Sequence, residues 1–185
     1  MQDEAIEIRW HGRGGQGAIT AAKIVAQAAF HAGFPGVVMA PSFGTERRGA
    51  PVSVSLKISK TKINDLCPIE CPDVVVVLDD SILGEIDVTA GLKPGGILVI
   101  NTPKDRHAYA FDHFTLATAD VTRLAQQAGL KAGIVNTGII GAVARALPIV
   151  PLAALIAAIE VEFGNGRGPQ NAEAARITYE QTVTE

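Results

Sequence analysis

Residues 6–33 read IEIRWHGRGGQGAITAAKIVAQAAFHAG, and the change of pattern inside this stretch decides the fold. Ile6, Ile8 and Trp10 alternate with charged residues, the period of a strand with one buried face. His11 to Gly17 then breaks the alternation with four glycines in seven residues. From Ala18 onward, Ile19, Ala22, Val25, Ala26 and Ala29 recur at helical spacing, and Gly33 can end the helix. Strand, glycine turn and helix follow directly on one another. The small residues let such a helix pack closely on a sheet.

Working outward, Val37 to Ala40 and Val52 to Ile58 read as strands, separated by the polar loop PSFGTERRGAP. Val74 to Leu78 is an unbroken apolar run rich in β-branched residues, as in a strand buried on both faces of a parallel sheet. Ile97 to Ile100, entered through Lys93-Pro94-Gly95-Gly96, is a second such strand. Helices are predicted for DVTRLAQQAG, with Asp120 as N-cap, for TGIIGAVARAL, and for PLAALIAAIEVEF behind Pro151. NAEAARITYEQ forms a last helix after a flexible stretch from Gly164 to Gly168. Alternating strands and helices predict an α/β fold: an open, mostly parallel sheet with helices on both faces, Rossmann-like, and a helical C-terminal part suited to docking. With 185 residues, one domain over 1–185 is expected.

Composition excludes several functions. The net charge is −3, and no basic stripe gathers the field that nucleic acid needs. The start MQDEAIEIRW lacks the features of a signal peptide, and no apolar run approaches the roughly 18 residues of a membrane span. A soluble, cytoplasmic location is therefore expected. Two cysteines, Cys67 and Cys71, cannot fill a four-ligand zinc or iron–sulfur site alone. They read as cytosolic thiols, with a redox pair as the alternative.

Gly12 to Gly17, GRGGQG, fits GxGxxG in its required context between a strand and a helix. Glycine permits a tight turn and close backbone approach, and the free N–H groups and helix dipole beyond it favour an anion. Gln16 adds an amide at the mouth. A dinucleotide site would also carry an acid at the end of the second strand. Val37-Val38-Met39-Ala40-Pro41 stands there instead, so the loop points to phosphate more than to NAD. In the loop Gly44 to Gly49, Arg47 and Arg48 offer guanidinium forks suited to phosphate or carboxylate. Asp79, Asp80, Asn101 and Thr102 fall at the carboxyl ends of strands, where open α/β sheets bind ligands, although loop caps look the same. Asn136 and Thr137 read as N-caps. The histidines show no metal-ligand or triad spacing, and no acid–base pair stands out. The residues describe a binding domain without a catalytic set, and a free-standing nucleotide-binding domain remains an alternative.

The segments WHGRGGQGAITAAKIVAQAA, SFGTERRGAPVSVSLKIS, CPDVVVVLDDSIL and GLKPGGILVIN, in this order, resemble the gamma subunit of pyruvate:ferredoxin oxidoreductase and its 2-oxoacid:acceptor relatives. The pairing of GRGGQG with GTERRGAP is more specific than either motif alone. The resemblance implies an assembled enzyme that oxidatively decarboxylates a 2-oxoacid to an acyl-CoA and carbon dioxide. Thiamine diphosphate would sit in alpha- and beta-type subunits and iron–sulfur clusters in a ferredoxin-like subunit. Electrons would leave to ferredoxin, or to NAD through another subunit. Carried onto this sequence, Gly12, Gly14, Gly15, Gln16 and Gly17 would hold coenzyme A phosphate, and Arg47, Arg48 and Gly49 would form the family's arginine loop, directed either to coenzyme A or to the thiamine-bearing subunit; Asn101, at its strand end, is a further candidate cofactor contact. GTERRGAP is similar to pyruvate-type members. LKIS departs from a pattern in which an arginine often precedes the isoleucine, which keeps an aromatic 2-oxoacid such as phenylglyoxylate open.

Overall fold

A computed structural model of the chain describes residues 5–42 and 49–185. The elements run β1 (Ile6–Arg13), α1 (Ala18–His31), β2 (Gly36–Ser42), β3 (Pro51–Ser59), β4 (Val74–Val77), β5 (Ile97–Asn101), β6 (Thr115–Ala119), α2 (Val121–Gln127), α3 (Asn136–Ala146), α4 (Leu152–Gln181) and β7 (Val183–Thr184). Short 3-10 helices, Asp80–Gly84 and Arg106–Ala108, follow β4 and β5.

All strands join one seven-stranded sheet in the order β2-β3-β1-β4-β5-β6-β7. β1, β4, β5 and β6 pair in parallel, and β2 shares their direction because it lies antiparallel to β3, itself antiparallel to β1. β3 and β7 run the other way. The sheet is thus mostly parallel with an antiparallel hairpin at one edge. β3 stands between β1 and β2, so no parallel strand occupies the position from which a dinucleotide fold presents its ribose-binding acid.

The unbroken valines of β4 explain its central place. Val74, Val76 and Leu78 belong to the core shared with the α-helices, while Val75 and Val77 face the opposite side, and all are fully buried. Each such valine contributes about 1.5–3 kcal/mol by leaving water. The two faces carry helical cover of unequal weight. All four α-helices pack on one face through residues such as Ile24, Leu124, Ile139 and Ile159. The other is covered by the 3-10 turn with Ile82 and by loop residues Val88, Leu92, Tyr109 and Phe111.

The expected flexible stretch is instead mostly helix. α4 is interrupted at Gly164 alone, with φ 64° and ψ −174°. There the chain reverses, so that a Cβ on Gly168 would meet Glu160 Cα at 3.2 Å. Packing of one arm on the other holds residues of poor helix propensity in place. The second arm runs against α3, where a Cβ on Gly141 would stand 2.0 Å from the Ala175 carbonyl oxygen. Among the described residues no helix is long and apolar enough to cross a membrane.

Candidate functional site

The carboxyl ends of β1, β4, β5 and β6 share one edge of the sheet, and the glycine loop leaves from the first of them. Gly15 and Gly17 hold left-handed angles, φ 96° and 82°, which L side chains rarely adopt. Gly12 sits close to its surroundings, its would-be Cβ 3.4 Å from Ala18 Cβ and 3.5 Å from Leu78 Cβ. α1 has no side-chain N-cap, and its first closing bond runs from Ala21 N–H to the Gly17 carbonyl. The N–H groups of its first turn are therefore left for a ligand or for water.

Gln16 is engaged at both ends rather than free at the mouth. Its Oε1 accepts the Arg13 N–H at 2.7 Å, and its Nε2 donates to Asp79 Oδ2 at 2.7 Å. The loop is thereby braced to the end of β4. Partial burial by itself would raise the Asp79 carboxyl, but hydrogen bonds from Ser81 and Gln16 and the charge of Arg13 outweigh it and hold the group below its ordinary range.

Arg13, inside the motif but not singled out from the sequence, ties this edge together. Its guanidinium reaches Ser81 Oγ at 2.7 Å and Glu85 Oε1 at 2.5 Å, and lies 3.3 Å from Asp79. It also donates to the Gly49 carbonyl at 3.1 Å. Gly14 N–H donates to the Ala50 carbonyl at 2.9 Å, and Gly49 N–H returns a bond to the Gly14 carbonyl at 3.2 Å. Gly49 is thus brought against the glycine loop. Arg47 and Arg48 lie outside the described residues.

Asn101, at the end of β5, borders the neighbouring cleft with both polar ends engaged. Its Nδ2 donates to the Leu78 carbonyl and to Thr122 Oγ1, and its Oδ1 accepts the Thr122 N–H. Asp80 and Thr102 join Tyr109 and Lys104 in one network. Asp120 caps α2 as read from the sequence, through the Arg123 N–H. Asn136 and Thr137 do not cap α3. Val135 occupies the cap position, Thr137 donates to Asn171 Oδ1 at 2.9 Å, and the buried Asn136 Oδ1 has no partner. The N-cap reading fails because α3 starts one residue earlier than expected, at Asn136 itself.

Cys67 and Cys71 are exposed, free thiols in the segment before β4. Asp65 pushes the Cys67 thiol upward, away from easy ionisation. His11, 7% exposed, accepts from Arg9 Nε through Nε2 and buries Nδ1 without a partner. Burial first, then the Arg9 charge, lowers it to about 4.

Against this geometry, the pyruvate ferredoxin/flavodoxin oxidoreductase family matches residues 7–181. The chain belongs to that family, as a gamma-type subunit. Among relatives in the family is the common gamma subunit of the pyruvate/ketoisovalerate oxidoreductases of Thermococcus litoralis, 47% identical over 96% of this chain and 97% of its own length. The crystal structure of pyruvate oxidoreductase subunit PORC from Thermotoga maritima superposes with a TM-score of 0.85 at 37% identity, covering 98% of this chain and 99% of that one. A 2-oxoglutarate:ferredoxin oxidoreductase from Magnetococcus marinus, solved with 2-oxoglutarate, coenzyme A and succinyl-CoA bound, shares the fold at 19% identity and a TM-score of 0.75, over 97% of this chain and 32% of that one. The family expected from GRGGQG and GTERRGAP is therefore the family found, and the match extends well past those motifs into α4.

Proposed function

We propose that this gamma subunit serves an enzyme that oxidatively decarboxylates pyruvate to an acyl-CoA and carbon dioxide, and that its own part is to hold the phosphates of coenzyme A and to dock partner chains. The observation that carries the coenzyme reading is the glycine loop itself. Gly15 and Gly17 take left-handed angles, and the uncapped first turn of α1 leaves donors and a positive dipole end beside them. Coenzyme A is also a ligand of the Magnetococcus marinus protein of the same fold.

Pyruvate is favoured because the Thermococcus litoralis and Thermotoga maritima relatives carry it in their names. Bound in partner subunits, thiamine diphosphate would supply the electron sink for the decarboxylation, and iron–sulfur clusters would carry the electrons to ferredoxin. This chain has two cysteines in all, too few for a cluster of its own. Its contribution is to position the acyl acceptor.

The test is Gly15→Asp in the assembled enzyme. A Cβ there meets nothing within 4 Å, but φ 96° strains any side chain, so Gly15→Ala is run beside it to separate the backbone strain from the added negative charge. The KM for coenzyme A should rise at least tenfold while the KM for pyruvate is nearly unchanged, about 1.4 kcal/mol or more of lost binding. An unaltered KM for coenzyme A overturns the phosphate role.

A further inference from the structure

We infer that β2, the edge strand of the sheet, is a pairing surface for a second copy of this chain, joined antiparallel about Val38 so that two seven-stranded sheets become one.

Backbone register decides which groups this edge offers. Gly14 N–H donates to the Ala50 carbonyl, while Asp73 and Leu78 donate to the Glu7 and His11 carbonyls. The odd residues of β1 therefore turn toward β4 and the even ones toward β3, where Trp10 stands opposite Val54. In β3 the even residues are thus spent on β1, and the odd ones bond their register partners Gly36, Val38, Ala40 and Ser42. That leaves Val37, Met39 and Pro41 with their backbone groups directed outward. Among the described residues no hydrogen bond reaches the N–H or carbonyl of Val37 or Met39.

Free edges of this kind are normally blunted by charge or by brevity. Gly36–Ser42 carries no charged residue, and Val37, Val38 and Met39 are half-buried. The opposite edge, β7, is two residues long and closes on the charged Glu185.

Only prolines guard β2, and their placement selects the strand that fits. Pro35 and Pro41 stand three residues to either side of Val38. When a second copy is inverted about Val38, Val37 lies opposite its Met39 and Met39 opposite its Val37, each pair exchanging two N–H···O=C bonds. Pro35 falls opposite the second copy's Pro41, so both ends of the ladder stop together. A shift of two residues either way would set a proline ring inside the ladder, against Val37 or Met39. The side chains agree with this register. Valine meets valine at the centre and methionine beside it, with no like charges brought together.

The experiment uses the 185-residue chain. Sedimentation velocity across the micromolar range should show a weak, reversible dimer, since the paired edge is smaller than a standard interface. Met39→Pro removes two of the four bonds and should weaken association roughly tenfold. Its N–H already faces outward, and an unchanged near-ultraviolet spectrum verifies the fold. Thr184→Pro is the matched control. Glu185 exchanges bonds with Leu116, which turns Thr184 outward on the opposite edge, and association should be unchanged.

Cross-linking tests the register without a proline substitution. In a Cys67→Ser/Cys71→Ser background, oxidation with diamide should link Val38→Cys into a covalent dimer, because a pair of this kind sets its Cα atoms about 4.5 Å apart. Ala40→Cys should not link, its two copies being offset by four residues, about 13 Å. A chain that stays monomeric and fails to link through Val38→Cys overturns the pairing, and so does a link through Ala40→Cys of equal yield. The glycine loop takes no part in this edge, so failure here leaves the coenzyme reading standing.

Discussion

Gly17 and Asn136 touch across two helix starts, with no room for a side chain on the glycine: an added Cβ would lie 3.0 Å from Asn136 Cβ. Gly17 also holds φ 82°. Gly17→Ala should therefore cost about 1–2 kcal/mol from backbone strain alone, with the contact adding to it. Trimming the neighbour in a Gly17→Ala/Asn136→Ala double variant should recover little, because the strain and the Cβ contact both persist. Urea unfolding of the two single variants and the double variant checks this. Full recovery would mean that the side-chain amide, not the angle, sets the cost.

Gly141 presents a harder limit. Its Cβ would meet the backbone oxygen of Ala175 at 2.0 Å, and backbone cannot turn aside as a side-chain tip can. Gly141→Ala should force α3 from the second arm of α4 and cost about 2–3 kcal/mol. The melting temperature should fall accordingly. Gly84→Ala, where nothing lies within 4 Å of the added atom, is the control and should be nearly silent.

Gln16→Glu would set a second carboxylate where an amide now donates to Asp79 at 2.7 Å. Two carboxylates at that range raise one another's pKa, so the introduced group titrates higher folded than unfolded. Stability is then intact at low pH and lost as pH rises through the raised folded value. A deficit of about 1–2 kcal/mol at pH 8 should shrink on acidification toward pH 5. Parallel denaturation curves of variant and parent across this range provide the measurement.

His11 carries the opposite sign. Its folded pKa is lowered from 6.5 to about 4, first by burial and then by Arg9. The unfolded chain therefore binds the extra proton between those values, and stability present above pH 6.5 is lost as pH falls toward 4. At about 1.4 kcal/mol per pKa unit the full loss is on the order of 3 kcal/mol. His11→Gln should flatten that part of the stability profile, and an unchanged acid slope would assign it to other groups.

Trp10 is fully buried, yet its Nε1–H has no partner. Trp10→Phe removes the orphan donor, worth about 1–3 kcal/mol of unmet hydrogen bonding, and offsets part of the volume lost. Calorimetry should find a smaller destabilisation than for Trp10→Ala, which leaves a large cavity.

The parts of the fold legible in the sequence were those in which apolar volume and period agree. Ile6 to Gly33 switches period once, at the glycines, and Val74 to Leu78 has the bulk of a doubly buried strand. β6 escaped notice because it gave up volume: Ala117 and Ala119 face the α-helices, where small side chains let them come close, and Leu116 and Thr118 alternate with them. The reversed direction of β3 went unread, although its short connection to β2 carries the signal, since parallel neighbours need a longer crossover. The wall opposite the glycine loop, in the cleft that Gly15, Gln16 and Gly17 share with Arg167 and Asn171, was not legible. Lys131 and Arg167 stand in polar segments far along the chain, and only the turn at Gly164 and the bonds of Asn171 carry the arginine to the glycine loop.

The reversal at Gly164 bears on when the cleft comes into being. One wall is made from residues before 21 and the other includes residues after 162, so a nascent chain lacks the site until the second arm of α4 has emerged from the ribosome. Contacts this distant in sequence form late and are dearly won in chain entropy. Any ligand taken up there can act only after folding, adding RT ln(1 + [L]/Kd) to a structure that has assembled without it.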